Sequence, residues 1–120
     1  MTDSLLVQLR KGVLDMCVLA MLAQKDGYAY DIASRLAQDI GMGEGTIYPL
    51  MRRMQSDGLV KTYLEESSSG PPRKYYQLTR AGHAALAAQR TEWLSFVTSV
   101  AKVLSDAAPA TPAKAAGGAR

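Results

Sequence analysis

Residues 43–58 read GEGTIYPLMRRMQSDG, and this stretch decides the fold of the chain. On a helical wheel at about 100° per residue, its large apolar residues share one face, namely Ile47, Leu50, Met51 and Met54. The opposite face carries small, cyclic and cationic residues with hydroxyl groups at its edges: Gly45, Pro49, Arg52 and Arg53, flanked by Thr46 and Tyr48. The pattern predicts a helix with one buried face and one exposed cationic face, ended by Asp57–Gly58.

Pro49 restricts how this helix can begin. Proline is tolerated in the first turn, where backbone N–H groups have no intrahelical acceptor. If the helix begins near Glu44, the Pro49 ring clashes with the carbonyl of Gly45, a conflict that costs roughly 3 kcal/mol in a helix interior and that glycine tolerates best. In either case Gly45 and Pro49 give a smooth helix surface, which a DNA major groove can accept closely.

The two arginines of this helix are candidates for contacts with DNA. Arg52 and Arg53 could reach phosphates or a guanine edge, and the alternative is that both are simply solvated. The chain has a net charge of +3 and a pI of about 9.1, which is only a mild basic bias. A nucleic-acid surface must therefore come from local clusters, and further cations follow at Lys61, Arg73 and Lys74.

Two helices are predicted before this stretch. The first runs from Leu5 to about Gln24 and is apolar almost all round in its second half, with Gly27 as the predicted stop. The second runs from Tyr28 to about Asp39, with apolar residues at spacings of three and four. Glycines 41 and 43 then break the chain before the cationic helix.

A hairpin and a long helix are predicted after it. Residues 60–66 alternate between apolar and polar, residues 73–78 form a tyrosine-rich partner strand, and a Ser/Gly/Pro loop joins them. Tyr75 and Tyr76 point to opposite faces of that strand, so we expect one to pack inward. Thr79 is a predicted N-cap for the last helix, whose apolar seam suits a partner helix: Leu86, Trp93, Val97, Val100 and Leu104.

This order of elements predicts an α+β fold that is mainly α, a winged helix-turn-helix with a long C-terminal dimerisation helix. The predicted organisation is a DNA-binding domain over 1–78, a dimerisation helix over 79–105, and a disordered Ala/Pro/Gly tail over 106–120. The chain has 120 residues, of which 48% are hydrophobic, and this is enough for one small core.

The composition argues against an enzyme, a secreted protein and a membrane protein. There is one His, one Cys, no cluster of carboxylates in a plausible cleft, and no glycine-rich phosphate loop between a strand and a helix. We therefore expect no catalytic residues, no metal site and no cofactor. Cys17 lies in an apolar run, where we expect a buried small hydrophobe, and a single cysteine fits the reducing cytoplasm. No signal peptide or membrane span is expected.

Three segments together resemble the PadR-like family of bacterial transcriptional regulators. They are GYAYDI at 27–32, GEGTIYPLMRRMQSDGL at 43–59 and SGPPRKYYQLTRAG at 69–82. The resemblance implies a dimeric winged-helix repressor, in which the C-terminal helix packs against the first helix of the partner. The single C-terminal helix is similar to that of the small subfamily. The residues expected to contact double-stranded DNA are Gly45, Thr46, Tyr48, Pro49, Arg52, Arg53, Lys61, Arg73 and Lys74.

The resemblance also implies an effector site. Some small members of the family sense planar aromatic drugs in a pore at the dimer centre, between paired tryptophans, and Trp93 looks like the matching residue. The predicted walls of the pore are Phe96, Val97, Met16 and Leu19. The alternative is that Trp93 only anchors the dimer interface, where tryptophan is enriched.

The sequence therefore predicts a ligand-responsive homodimeric repressor that binds a palindromic operator. The alternative is a winged-helix module that contacts other proteins and has no role on DNA. The exposed face of the 43–58 helix discriminates between them, because a protein-interaction module has no need for Arg52 and Arg53 beside a basic hairpin.

Overall fold

The computed structural model describes residues 12–41 and 44–107. Four helices and three strands follow one another in the chain: α1 (Leu14–Gln24), β1 (Gly27–Tyr28), α2 (Ala29–Asp39), α3 (Glu44–Ser56), β2 (Val60–Glu65), β3 (Arg73–Leu78) and α4 (Arg80–Asp106). This is the mainly helical winged helix-turn-helix with a long C-terminal helix that the sequence predicts. Predictions for residues 1–11, for Gly43 and for the tail from residue 108 lie outside the described residues.

The core is built from the apolar faces of α1, α2 and α3, closed by the inner face of the sheet. The predicted face of α3 is confirmed, because Ile47, Leu50, Met51 and Met54 are all buried. They are joined by residues of the other elements: Leu14, Val18, Leu19, Leu22, Ile32, Ala33, Leu36, Val60, Tyr76, Leu78 and Leu86. Burial of these side chains is the main force that holds the three helices together.

The sheet has three antiparallel strands in the order β1-β3-β2, one more than the sequence predicts. Gly27 pairs with Tyr76 and Tyr28 pairs with Tyr75. The prediction that Gly27 ends the first helix was therefore wrong, since α1 ends at Gln24 and Gly27 belongs to a strand. The first helix also does not run unbroken from Leu5, because Gly12 has a φ of 83° and α1 begins at Leu14.

The end of α3 is hydrogen-bonded to the start of α4. Gly58 has a φ of 80°, which favours glycine, and it ends α3 as predicted while Leu59 N–H donates to the Met54 carbonyl at 3.0 Å. Thr79 caps α4 as predicted, accepting a hydrogen bond from Gly82 N–H at 3.0 Å. Thr79 also donates its hydroxyl to the Gly58 carbonyl at 2.7 Å and its N–H to the Leu59 carbonyl at 3.1 Å.

The chain divides into two compact units at Ala88–Gln89, inside α4. The first unit contains the three-helix core and the sheet. In the second unit, the helix from Gln89 onward exposes many large apolar side chains: Trp93, Leu94, Phe96, Val97, Val100, Val103 and Leu104. Among the residues that the structure describes, no helix has the length and apolarity to cross a membrane.

Candidate nucleic-acid interface

The outer face of α3 is as exposed as the sequence predicts. Gly45, Thr46, Pro49 and Arg52 are exposed, and Tyr48 is half-buried at the edge. Pro49 lies inside the helix, beyond its first turn, because α3 already begins at Glu44. Of the two starts that the sequence allowed, the structure has the one in which Gly45 lies one turn before the proline.

Gly45 has open space around it. A Cβ atom built on Gly45 would meet no atom within 4 Å apart from its immediate neighbours and the helix's own backbone, and its φ is not in the left-handed region. No neighbouring side chain among the described residues therefore requires glycine here, although glycine best tolerates the Pro49 ring against its carbonyl. Gly45 is the second residue of α3, and glycine lowers helix stability relative to alanine there by at most the interior value of about 0.5–1 kcal/mol.

Arg53 forms an ion pair with α1. Its Nη1 and Nη2 atoms donate to Oδ2 and Oδ1 of Asp15, both at 3.1 Å, in a two-pronged arrangement. Asp15 lies in the first turn of α1, where the helix dipole favours a carboxylate. The hydrogen bond to Asp15 raises the pKa of the Arg53 guanidinium above its already high ordinary value.

Arg52 differs from its neighbour. Its side chain is exposed, and it makes no hydrogen bond or ion pair within residues 12–41 and 44–107. The two arginines that the sequence grouped together therefore have different surroundings. The partner of Arg53 was not predicted, because Asp15 lies 38 residues earlier in the chain and no sequence pattern connects the two.

The outer face of the sheet carries a row of tyrosines. The rings of Tyr28, Tyr75 and Tyr63 lie side by side across the three strands, with ring centroids 5.5 Å and 5.7 Å apart. Tyr76, on the other face, is buried as the expected inward tyrosine. Tyr30 extends the row, with its ring centroid 6.5 Å from that of Tyr28.

Polar contacts fix this row to the rest of the first unit. The Tyr63 hydroxyl donates to Asp26 at 2.7 Å, and this hydrogen bond raises the pKa of Tyr63 to about 12. Arg73 donates to the Tyr28 hydroxyl at 3.0 Å, and its guanidinium lies 4.7 Å from the centroid of that ring. Burial raises the pKa of Tyr28, and the charge of Arg73 opposes that shift.

The predicted cations of the hairpin are all exposed. Lys61 lies on β2, and Arg73 and Lys74 begin β3, next to the loop that joins the strands. Lys74 Nζ lies 5.8 Å from the centroid of the Tyr76 ring. The hairpin therefore offers three solvent-accessible positive charges in the same unit as α3.

The residues predicted for an effector site lie in very different surroundings. In the second unit, Trp93 is 39% exposed, Val97 40% and Phe96 62%. In the first unit, Met16 is half-buried against the core and Leu19 is fully buried within it. The prediction that Leu19 lines a pore disagrees with this position, because a side chain with no accessible surface cannot contact a ligand unless the core opens.

Cys17 and His83 show no arrangement suited to catalysis. Cys17 is half-buried against the core, and burial raises the pKa of its thiol, which disfavours the reactive thiolate. His83 is exposed on α4. In the part of the chain that the structure describes, no three His, Cys, Asp or Glu residues are grouped so that they could hold a metal ion.

Comparison with known proteins places this architecture in a family. The family model described as "Transcriptional regulator PadR-like family" matches residues 18–88. An uncharacterised protein from Lysinibacillus sphaericus is 30% identical over 87 residues, covering 69% of this chain and 80% of that protein.

Solved structures show the same similarity. A PadR-like transcriptional regulator from Bacillus cereus strain ATCC 14579 is 37% identical with a TM-score of 0.75, covering 81% of this chain and 96% of its own. A PadR family transcriptional regulator from Eggerthella lenta is 36% identical with a TM-score of 0.74, over 86% and 91% of the two chains. Bacillus subtilis PadR in complex with operator DNA shares the fold at 24% identity and a TM-score of 0.57, over 68% of this chain and 46% of that one.

Proposed function

This chain belongs to the PadR-like family of transcriptional regulators, and on that premise we propose that it is a homodimeric repressor that binds a palindromic operator in double-stranded DNA. The observation that carries the proposal is the exposed face of α3. It combines Arg52, whose side chain has no partner among the described residues, with Gly45, around which the described side chains leave open space, and with Pro49 inside the helix. A solved relative of the same fold, Bacillus subtilis PadR, was crystallised with operator DNA.

In the proposed complex, α3 is the recognition helix and lies in the major groove. Gly45 and Pro49 allow the helix backbone to approach the base edges closely, and Thr46 and Tyr48 offer hydroxyl groups at the margins of the groove. Arg52 contacts a phosphate or a guanine edge. Three hairpin cations contact the flanking phosphates, namely Lys61, Arg73 and Lys74.

The second unit supports a homodimer. Trp93, Val97 and Val100 recur at spacings of four and three, and 38–40% of each side chain remains exposed in the single chain. A helical seam of this kind is stable when a second helix covers it, and a second copy of this chain carries the matching seam. Two copies related by a two-fold axis would present two recognition helices to half-sites about 34 Å apart.

We propose further that the dimer responds to a planar aromatic effector. Two Trp93 rings, one from each copy, would stack on the two faces of the ligand, each contributing about 0.5–1.5 kcal/mol beyond area burial. Phe96 and Val97 would form the walls, with Met16 beside them, and the buried Leu19 is omitted. In the competing role, Trp93 only anchors the dimer interface. A planar dye that quenches Trp93 fluorescence without changing the oligomeric state would argue against that role.

The test measures binding to DNA from the region upstream of the protein's own gene, by fluorescence anisotropy at several salt concentrations. We expect the affinity to exceed that for an unrelated duplex and to fall steeply with salt, because each phosphate contact releases counterions. For a phosphate contact, Arg52→Gln should reduce the slope of log K against log salt by about 0.9, whereas for a guanine contact it should lower the preference for the upstream duplex at an unchanged slope. An affinity that does not depend on salt would favour the protein-interaction alternative over the repressor.

A further inference from the structure

Arg53 and Arg52 are neighbours on α3, and among the described residues Arg53 has a side-chain partner whereas Arg52 has none. Building on the proposed DNA-binding function, we propose that Arg53 is a positioning residue that ties the recognition helix to α1 through Asp15, and that Arg52 alone supplies the arginine contact to DNA from this helix. The sequence had assigned both arginines to DNA.

The geometry of the pair is directional. Two parallel N–H···O bonds of 3.1 Å join the guanidinium fork to both carboxylate oxygens. Such a bidentate arrangement fixes the relative orientation of the two groups, which a single-point contact does not. The carboxylate is also the better covered partner, since the Asp15 side chain is 33% exposed and that of Arg53 is 55% exposed.

The pair links two helices that are otherwise joined mainly through other elements. The apolar face of α3 packs against α2 and β2, whereas α1 packs against α2 and β3. Apolar contacts resist separation but allow small rotations of a helix about its axis. A bidentate bond near the C-terminal end of α3 opposes such a rotation, and rotation would change which side chains face the groove.

Charge also argues against a phosphate contact by Arg53. The carboxylate of Asp15 lies on the guanidinium, so the pair as a whole is neutral, and a phosphate that approached Arg53 would be repelled by Asp15. Arg52 forms no such pair with any residue of 12–41 or 44–107. The counterions released on DNA binding should therefore reflect Arg52 and not Arg53.

The experiment compares Asp15→Asn, Arg53→Gln, the double variant Asp15→Asn/Arg53→Gln and Arg53→Lys, with Arg52→Gln as the matched control. Each full-length protein is titrated onto the preferred duplex and onto an unrelated duplex across a range of salt. We expect Asp15→Asn and Arg53→Gln each to reduce the preference for the correct duplex by about two- to fivefold, the range of an exposed ion pair.

Three further results are expected from the same titrations. The double variant should be no weaker than either single variant, because both remove the same interaction. The salt slope should stay at the wild-type value in the double variant and in Arg53→Lys, which leave the net charge of the pair unchanged, and fall by about 0.9 in Arg52→Gln. Arg53→Lys should fail to restore the preference, because lysine keeps the charge but cannot form the two-pronged bond.

The opposite pattern would overturn the inference. If Arg53 contacts a phosphate, Arg53→Gln lowers the salt slope, Arg53→Lys restores binding, and Asp15→Asn tightens binding by removing a repulsive charge. Thermal unfolding of the same variants tests the pair without DNA, and independent effects of the two substitutions on unfolding would also reject it. If the wild-type protein bound neither duplex, the proposed function would be rejected. The Arg53–Asp15 ion pair would then be tested by the unfolding measurements alone.

Discussion

Replacing Gly45 with alanine should make the protein more stable and weaken its binding to DNA. Leaving out its chain neighbours and the helix's own backbone, a methyl group at Gly45 meets no atom of the described residues within 4 Å, and the backbone φ is not in the left-handed region, so the methyl group itself introduces no clash. Replacing a glycine by alanine in a helix interior stabilises a protein by about 0.5–1 kcal/mol, and Gly45, the second residue of α3, gains at most this amount. In a domain of this size the upper limit corresponds to a rise of about 4–8 °C in Tm.

Gly82→Ala is the matched control, because the same chemical change there has the opposite sign. A methyl group at Gly82 would overlap the carbonyl oxygen of Leu59 and lie 2.9 Å from Leu78 Cδ2. The Leu59 carbonyl is held in place by the Thr79 N–H at 3.1 Å, so it cannot move away freely. Overpacking of this kind costs about 1–3 kcal/mol, and we expect a net loss of about 1–2 kcal/mol after the gain in helix propensity.

Both variants are measured by circular dichroism melting at one fixed protein concentration, since the Tm of a dimer depends on concentration. Gly45→Ala is then titrated onto the preferred duplex, where we expect weaker binding because the methyl group occupies the closest approach between helix and base edges. Destabilisation by Gly45→Ala would show that the fold itself requires this glycine. Stabilisation with unchanged DNA affinity would refute the reasoning that the smooth face of α3 serves the groove.

Three more predictions concern the hydrogen-bonded Tyr63, the buried Met51 and the exposed Trp93. The pKa of Tyr63 is about 12 in the folded chain and near its ordinary value of 10.0 when unfolded. The Tyr63–Asp26 hydrogen bond therefore contributes stability below pH 10 that is lost as the pH rises through 12. Chemical denaturation across this range should show a loss of unfolding free energy that Tyr63→Phe lacks. Met51→Ala opens a cavity in the core and should cost about 2–5 kcal/mol of unfolding free energy, measured by urea titration. Trp93→Ala should shift the sedimentation equilibrium toward monomer, and a fully dimeric variant would contradict the proposed seam.

The elements that the sequence predicted well are those whose pattern is local. The buried face of α3 follows from spacings of three and four between Ile47 and Met54, and the cap at Thr79 depends on a residue three positions later. Both are properties of a single helical turn or two. Such features can be read without knowing what the rest of the chain does.

The features that were missed depend on contacts between distant segments. The strand β1 has only two residues, Gly27 and Tyr28, and it exists because β3 offers a free edge for pairing. Two residues are too few to show the alternation of apolar and polar side chains that marks a strand. The tendency of glycine to end a helix was therefore the stronger local signal. The role of Asp15 was missed for the same reason, because its ion pair with Arg53 forms only when α1 approaches the C-terminal end of α3.

The interface was predicted as a surface but not as a set of separate roles. The wheel placed Gly45, Pro49, Arg52 and Arg53 on one side, and all four are exposed. The wheel cannot show whether an exposed side chain is already bound within the fold. For Arg52 and Arg53, whether the side chain is already bound within the fold decides which positive charge is available to a polyanion such as DNA.

Three parts of α3 are committed to the fold: the apolar face lies in the core, Arg53 is bound to Asp15, and Gly58, just after the C-terminal end, accepts a hydrogen bond from Thr79. The remaining side carries Gly45, Pro49 and Arg52. A glycine and a proline each weaken a helix, and neither improves any contact that the described chain makes. Close approach to a DNA groove is a reason outside the chain for such residues at exposed positions, and it is the reason that the proposed function supplies.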